Sequence, residues 1–322
     1  MDLAEAYALV QPGLTGVEKA FEEIIDGQDG FPEMQKMLRQ VLVGGKVVRP
    51  TLTLLAGSFY DYDLNALQPM AVSTELMHIA TLVHDDAIDS ADLRRGRATI
   101  NSAWGLDLAI LTGDFLFARA GEMAARTGVL HVVMLFTQTL AVIARGEVRQ
   151  ALASFRLDQT YEQYIERVAA KTAALFTLAT DSGAILSRAP EEAVQILHRY
   201  GYNLGIAFQI VDDILDFVGA ASEVGKPVGA DLAQGTVTLP AQKLLQRYPD
   251  NNPLLAIARK ENLAENIAKT VEMVRSSGII DECYELADDF CRLACSELDQ
   301  LPQKPAKEAL IALADYVIKR RK

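Results

Sequence analysis

The chain has 322 residues, of which half are hydrophobic and 23% are charged, and its formal net charge is −12. This composition is ordinary for a globular protein with a sizeable core, and the negative charge disfavours nucleic-acid binding, which needs a positive surface. The N-terminal residues do not resemble a signal peptide, and no stretch reads as a transmembrane span, so we expect a cytoplasmic protein.

Helices are predicted along nearly the whole chain. Apolar residues recur at intervals of three and four, as at Val72, Leu76, Ile79 and Val83, and alternating strand-like runs are missing. Glycine and proline separate the helical stretches, and no low-complexity linker divides them. We therefore predict one all-α domain over residues 1–322, with about ten or more helices.

Two other features of the chain bear on its compartment. The apolar stretch from Gly128 to Ala144 is interrupted by polar residues and fits a buried helix better than a membrane span. The cysteines Cys283, Cys291 and Cys295 lie in one C-terminal helical region and are predicted to be reduced packing residues of a cytosolic protein.

The first segment with a chemical pattern runs from Gly44 to Pro50 and reads GGKVVRP. It joins a flexible backbone to two cations, Lys46 and Arg49. By itself such a segment is weak support for a binding site, because surface lysines are common.

The first acidic cluster is Asp85-Asp86-Ala87-Ile88-Asp89. Residues four apart share one face of a helix, so Asp85 and Asp89 lie together beside apolar neighbours. Carboxylates gathered in this way suit magnesium, which takes one or two from the protein and shares the rest of its shell with water and substrate phosphate. His84, next to Asp85, is predicted to pack away from the metal face.

Cations follow the first cluster. Arg94, Arg95 and Arg97 stand in a predicted loop, and arginine offers the paired donors that a diphosphate needs. Further along, Lys171-Thr172 interrupts an alanine-rich helix, which is an expensive place for an unpaired lysine.

The second acidic cluster is Asp212-Asp213-Ile214-Leu215-Asp216. Its helix also places Gly205 and Gln209 on the face of the acidic residues. Gly225-Lys226-Pro227 follows and adds another cation. Two such clusters on separate apolar helices predict magnesium ions that bridge the protein to a diphosphate, with the surrounding cations able to hold a second diphosphate.

Together these residues resemble the trans-isoprenyl diphosphate synthase (polyprenyl synthetase) family. The resemblance covers roughly residues 44–240 and rests on specific motifs. They are GGKVVRP, ELMHIATLVHDDAIDSADLRRGRAT, GDFLFARA, GEVRQ, KT, GIAFQIVDDILDF and GKPVGADLAQGTVTLP. It implies an isoprenoid-synthase-type helical bundle around a deep central cavity, as a homodimer or with a heteromeric partner.

The resemblance also implies a role for each matching residue. The magnesium ions, three per active site, would be bound by Asp85, Asp89 and Asp212, with Asp216 supporting through water. The allylic diphosphate would be held by Arg94, Lys171 and Lys226. Isopentenyl diphosphate would be held by Lys46, Arg49, His78 and Arg95. The catalytic set would be Lys171, Thr172 and Gln209, the last two presenting oxygen dipoles to a developing allylic cation.

The implied reaction is chain elongation. Metal and cations stabilise the departing diphosphate, and the double bond of isopentenyl diphosphate attacks the allylic carbocation. The proton that then leaves has no dedicated general base in the sequence, so the departing diphosphate would accept it. The cavity must exclude water to protect the cation.

Product length is read from the residues before the first cluster. Short-chain members of the family carry an aromatic residue four or five positions before the first aspartate, where this chain has Thr81 and Ala80. Helical geometry places Thr81 on the cavity side, and Met77 and Thr74 further down would not plug the tunnel as an aromatic would. We predict a long product of about six or more isoprene units, used for quinone side chains; the alternative is a farnesyl or geranylgeranyl product. Thr236, which replaces a lysine of short-chain members, agrees with the longer product.

Other functions remain as rivals. A terpene cyclase would replace the second aspartate cluster, a non-catalytic subunit of a heteromeric synthase would lack both clusters, and the catalytic subunit of such a heteromer would keep them. Glu75 and His78 read as the ExxH of a di-iron bundle, which needs a second copy that the chain lacks. The basic C-terminal residues 319–322 are predicted to be a solvated terminus rather than a lid over the second diphosphate.

Overall fold

A computed structural model describes residues 1–94, 96–219 and 228–320, and it confirms the all-α prediction. Up to the middle of the chain, the helices are α1 (Leu3–Leu9), α2 (Gln11–Asp26), α3 (Pro32–Leu42), α4 (Val48–Gly57), α5 (Leu64–Ile88), α6 (Ile100–Trp104), α7 (Leu106–Arg126) and α8 (Leu130–Leu152). The arginine segment after the first acidic cluster, predicted as a loop, forms a short antiparallel hairpin of β1 (Leu93–Arg94) and β2 (Arg97–Ala98).

The remaining helices complete the bundle. They are α9 (Tyr161–Val168), α10 (Ala174–Leu186), α11 (Glu191–Val218), α12 (Ala230–Ala233), α13 (Leu239–Arg247), α14 (Leu254–Ala258), α15 (Leu263–Ser276), α16 (Ile279–Glu297) and α17 (Pro305–Lys319). A π-helical turn (Ala169–Ala173) joins α9 to α10, and a 3₁₀ turn (Leu298–Gln300) follows α16. Single π-helical turns of this kind occur frequently at functional sites.

Local sequence signals start several of these helices. Asp2 and Glu5 form a reciprocal capping box at α1, and Thr160 and Gln163 form another at α9. The Asp63 side chain caps α5 by accepting from the amide of Asn65. Each cap satisfies backbone donors that the first helical turn leaves without a partner.

The two long helices that carry the acidic clusters lie in the core. Helix α5 packs along α7 and α4, and α11 packs along α10 and α16. Gly205 lets α11 approach the π-helical turn closely, because a Cβ there would lie 2.5 Å from the Cα of Ala173. The core thus holds α11 against the turn that carries Lys171 and Thr172.

Helix α8 differs from its prediction as a buried helix. Only Val132, Phe136, Ile143 and Gly146 of its residues are buried. Its outer surface and that of α7 expose large apolar side chains: Leu106, Leu111, Leu130, Met134, Val148 and Leu152. The apolar composition of this stretch therefore reflects an uncovered surface as well as the core.

Two further findings concern the cysteines and membrane crossing. Cys283, Cys291 and Cys295 are free thiols on α16, with the first two buried. Across the described residues, no helix combines the length and apolar character that a membrane crossing requires.

Candidate active site

The first acidic cluster lies at the end of α5, and its aspartates point in different directions. Asp85 and Asp89 are partly buried one turn apart, with Asp89 forming the C-cap. Asp86 is buried and holds Arg94, whose Nη2 lies 2.7 Å from Oδ1 and whose Nε donates to both carboxylate oxygens. The hairpin thereby fixes a guanidinium beside the carboxylates predicted to bind metal.

Lys171 lies between two carboxylates from different helices. Its Nζ is 2.8 Å from Oε1 of Glu147 on α8 and 3.4 Å from Oδ2 of Asp85 on α5. Burial by itself lowers the pKa of Lys171, but Asp85 and Glu147 outweigh it and the pKa is raised. The predicted diphosphate ligand is therefore a fixed cation, and its carboxylate partners compensate for its position in an apolar helix.

The three aspartates of the second cluster also have different partners. Asp212 accepts from Nη2 of Arg320 at 2.7 Å. Asp216 is buried and accepts from the backbone N–H groups of Ala230 and Asp231 at the start of α12, at 3.1 and 3.4 Å. Asp212 is thus the more accessible of the two predicted ligands, and Asp216 is oriented by the backbone of α12.

Asp213 is internal and organises the residues next to the π-helical turn. It accepts from the Tyr164 hydroxyl and from Nε2 of Gln209, each at 2.8 Å. The carbonyl oxygen of Gln209 accepts a hydrogen bond from the Thr172 hydroxyl. The two predicted dipoles, Thr172 and Gln209, are therefore brought together and oriented.

The acidic residues near the turn fit a hard cation. Burial, followed by repulsion from Asp231, raises the pKa of Asp213 to about 7 and that of Asp216 to about 8, so an added cation would relieve unfavourable negative charge. The described residues contain no ready-made group of three or more His, Cys, Asp or Glu ligands. A magnesium ion here would take few carboxylates from the protein and complete its shell with water and phosphate oxygens.

The segment from Gly44 to Pro50 lies under the last turn of α17. The Lys46 ammonium donates to the hydroxyl of Tyr316. The backbone oxygen of Lys46 accepts a hydrogen bond from the Tyr7 hydroxyl at 2.6 Å. Arg49 is buried, with its guanidinium 5.0 Å from the centre of the Phe176 ring. Between them Val47 has φ 41° and ψ 38°, a left-handed conformation that costs a β-branched residue free energy and is typical of functional loops.

The C-terminal helix corrects the expectation of a solvated terminus, at least at Arg320. Tyr316 and Arg320 lie one turn apart, so the same face of α17 reaches Lys46 and Asp212. The Arg320 guanidinium also lies 4.3 Å from the centre of the Phe208 ring. The packing of α17 against α1, α11 and α16 places its last turn over the second acidic cluster. The negative charge of Asp212 there stabilises Arg320 in a partly buried position.

His84 faces away from the acidic cluster, as predicted. Its Nε2 lies 3.0 Å from the carbonyl oxygen of Ile110 and 3.5 Å from Asp114, and its ring meets Phe117 edge-on. A Cβ at Gly113 would overlap the ring, at 2.2 Å, so a larger residue there would displace the His84 side chain. The histidine therefore joins α5 to α7.

The predicted chain-length residues differ in exposure. Thr74, Met77 and Ala80 are fully buried, whereas Thr81 is partly buried and donates to the carbonyl oxygen of His78 at 2.7 Å. His78 itself is partly buried on α5. Two predicted diphosphate ligands, Arg95 and Lys226, lie outside the described residues.

Several contributors to this site were missed in the sequence. Glu147 stands in the GEVRQ motif, where an acidic residue in an apolar helix is a usable signal of a buried cation nearby. The middle aspartates, Asp86 and Asp213, share their motifs with the predicted ligands but bind side chains instead. Tyr164 and Tyr316 carry no local pattern, because their partners are distant in sequence.

The chain is similar to several known proteins over nearly its whole length. The polyprenyl synthetase family model matches residues 31–274. The heptaprenyl diphosphate synthase component 2 of Geobacillus stearothermophilus is 38% identical over 320 residues, which is 99% of each protein. The octaprenyl diphosphate synthase of Escherichia coli (strain K12) is 33% identical over 324 residues, again 99% of each.

The fold is also found in a solved structure. The polyprenyl synthase from Caulobacter crescentus CB15, complexed with calcium and isoprenyl diphosphate, has a TM-score of 0.94 to this chain at 33% identity. The match covers 100% of this chain and 98% of the other.

Proposed function

The chain belongs to the polyprenyl synthetase family, and we propose that it is a prenyltransferase that condenses an allylic diphosphate with successive isopentenyl diphosphates. The observation that carries this proposal is the meeting of both acidic clusters at one π-helical turn. There Lys171 contacts Asp85, while Thr172 binds Gln209, which in turn donates to Asp213. A fixed cation and oriented oxygen dipoles next to paired carboxylates suit the departure of a diphosphate from an allylic carbon.

The product is proposed to be a long trans-polyprenyl diphosphate of about six or more isoprene units, of the kind used for quinone side chains. The heptaprenyl and octaprenyl names of the relatives support this length. So does the small side chain at Thr81, because a long chain needs an open path below the diphosphates. A farnesyl or geranylgeranyl product is the alternative.

The roles of the side chains are proposed from the family to which the chain belongs. Asp85, Asp89 and Asp212 would hold magnesium, three ions per site, with Asp216 in support; when bound, magnesium supplies Lewis-acid stabilisation of the leaving diphosphate. Arg94, Lys171 and Lys226 would orient the allylic diphosphate. Isopentenyl diphosphate would be held by Lys46, Arg49, His78 and Arg95.

The groups proposed to act on the reacting carbons are polar side chains, and none of them is a strong base. The oxygens of Thr172 and Gln209 would stabilise positive charge on the allylic carbon while the double bond attacks it. The diphosphate held by Lys171 and Arg94 would accept the proton released afterwards. Closure of the site against water keeps the cation from hydrolysis.

We propose that residues 1–322 form one polyprenyl synthetase domain, which acts as a homodimer in the cytoplasm. Among the described residues, one hydrophobic cluster extends from Ala6 to Val317, and the apolar surface of α7 and α8 offers an area for a second subunit. The free thiols agree with a reducing compartment. A heteromer in which this chain is the catalytic subunit is favoured by one observation, the "component 2" name of a relative.

The function is tested by incubating the purified chain with farnesyl and isopentenyl diphosphates and magnesium, followed by chromatography of the products. We expect a long polyprenyl diphosphate from the single chain. Turnover of the allylic substrate alone would indicate a cyclase. Activity that needs a second protein would favour the heteromer.

Replacing Thr81 with phenylalanine should shorten the product in the same assay. The larger ring would stand one helical turn before Asp85, on the side where the chain grows. Thr127→Phe is the matched control, because the Thr127 hydroxyl also donates at 2.7 Å to a carbonyl three residues earlier, but at the end of α7. Equal product lengths for Thr81→Phe and the unaltered chain would contradict the tunnel position of Thr81.

A further inference from the structure

Tyr164 has a buried hydroxyl that takes no part in the proposed reaction. It lies on α9 with no exposed surface, and its hydroxyl donates to Oδ2 of Asp213 at 2.8 Å. Burial and the neighbouring carboxylate raise its pKa well above the ordinary value, so the hydroxyl keeps its proton and remains a donor. A buried hydroxyl and a buried carboxylate would each be costly alone, and together they form a fixed pair.

The ring of Tyr164 is itself held in place. The guanidinium of Arg167 lies 5.4 Å from its centre, and the same guanidinium donates to Oε1 of Gln159 at 3.1 Å and to the backbone oxygen of Val237 at 2.8 Å. Arg167 therefore ties the tyrosine to the segment after α12. The hydroxyl has little freedom to leave Asp213.

The other carboxylate oxygen of Asp213 determines the orientation of the Gln209 side-chain amide. Nε2 of Gln209 donates to Oδ1 of Asp213 at 2.8 Å, which leaves the amide oxygen to face Thr172. An amide has a donor end and an acceptor end of nearly the same shape, and only the hydrogen-bond partners decide which way it points. The reversed amide would direct N–H groups, the positive end of its dipole, toward the reacting carbon.

We propose that Tyr164 is a positioning residue that, through Asp213, determines which end of the Gln209 amide faces the reacting centre. The inference rests on the proposed function, because it assumes that a cation develops next to Thr172 and Gln209. Tyr164 holds the Asp213 carboxylate in the rotamer that accepts from Nε2. The oxygen of Gln209 then adds to that of Thr172 in stabilising positive charge.

The test begins with Tyr164→Phe, which removes the hydroxyl and retains the ring under Arg167. We expect kcat to fall roughly 10- to 100-fold, less than the ~10²–10³-fold typical of losing a direct electrostatic donor, with KM for both substrates nearly unchanged. Tyr161→Phe is the matched control on the same helix, since Tyr161 stacks on Tyr164 and is exposed. It should retain full activity.

Binding of a charged analogue separates positioning from structural support. The probes are an ammonium analogue of farnesyl diphosphate, with nitrogen at the carbon that becomes cationic, and the unreactive farnesyl thiolodiphosphate. Tyr164→Phe should weaken binding of the ammonium compound about tenfold and leave the thiolodiphosphate within about twofold, by titration calorimetry. Equal changes for both probes would reduce Tyr164 to a structural residue and overturn the inference.

A double-mutant comparison tests whether the effect passes through Gln209. If it does, Tyr164→Phe should lower kcat no further in a Gln209→Leu chain, whereas independent effects would multiply and contradict the proposal. The proposed function fails on a different result, the absence of polyprenyl diphosphate from the unaltered chain. An active unaltered chain with an unimpaired Tyr164→Phe variant rejects only the positioning role.

Discussion

Replacing Asp85 or Asp212 with asparagine is expected to abolish polyprenyl diphosphate formation, with a loss of about 10³-fold or more in kcat. Asparagine keeps the size of the side chain and removes the charge that would hold a divalent cation under the proposed function. The fold should survive, because Asp85 is one of two carboxylates at Lys171 and Asp212 pairs with Arg320 near the surface of the bundle.

The measurement is product formation at saturating magnesium, with far-ultraviolet circular dichroism to confirm helical content. Asp107→Asn provides a control for the loss of one carboxylate, since Asp107 is exposed in the first turn of the neighbouring helix α7. Near-normal turnover of either site variant would show that the metal assignment is wrong. Chelation of the divalent ion should stop the unaltered enzyme, and added magnesium should restore it.

Lys171→Gln is expected to lower kcat by about 10²-fold or more and to reduce stability by about 1–3 kcal/mol. In the unaltered protein the Lys171 ammonium lies between the carboxylates of Asp85 and Glu147. Without it, these two negative charges would repel each other. The variant also lacks the cation that is proposed to hold the leaving diphosphate. Lys171→Arg should recover part of the activity, because it restores the charge with altered geometry.

Lys243→Gln is the matched control for this second prediction. Lys243 pairs with Glu282 at 2.9 Å and is about as exposed as Lys171, with side-chain exposures of 26% and 30%, but it lies on α13 outside the site. Activity and denaturant unfolding are compared for both variants. Equal losses of kcat in the two variants would mean that breaking any partly buried ion pair lowers activity to the same extent. Lys171 would then have no specific role in the reaction.

The charged parts of the site could be predicted because their chemistry is visible in short segments. Asp85 and Asp89 share a helical face in the sequence as they do in the structure, and an unexplained lysine in an apolar helix needed partners. The identity of those partners was not predictable. Glu147 meets Lys171 only because α8 packs against the π-helical turn, and that contact depends on the whole bundle.

Contacts between residues that are far apart in the sequence were not predicted. Arg320 lies 108 residues from Asp212 and Tyr164 lies 49 residues from Asp213, so neither pairing leaves a periodic signal. The prediction that α8 is buried was wrong for its outer surface, since apolar composition does not show whether a side chain faces the core or is exposed. The roles of all the site residues stay predictions, and Arg95 and Lys226 also lie outside the described residues.

The contacts of α17 have a consequence for the order in which the site is completed during synthesis. Lys46 and Asp212 leave the ribosome well before Tyr316 and Arg320, which contact them in the finished protein. Domains generally fold as units, so the site is complete only after α17 has been made and has packed against α1, α11 and α16. The pairing of Arg320 with Asp212 is therefore one of the last contacts to form during synthesis.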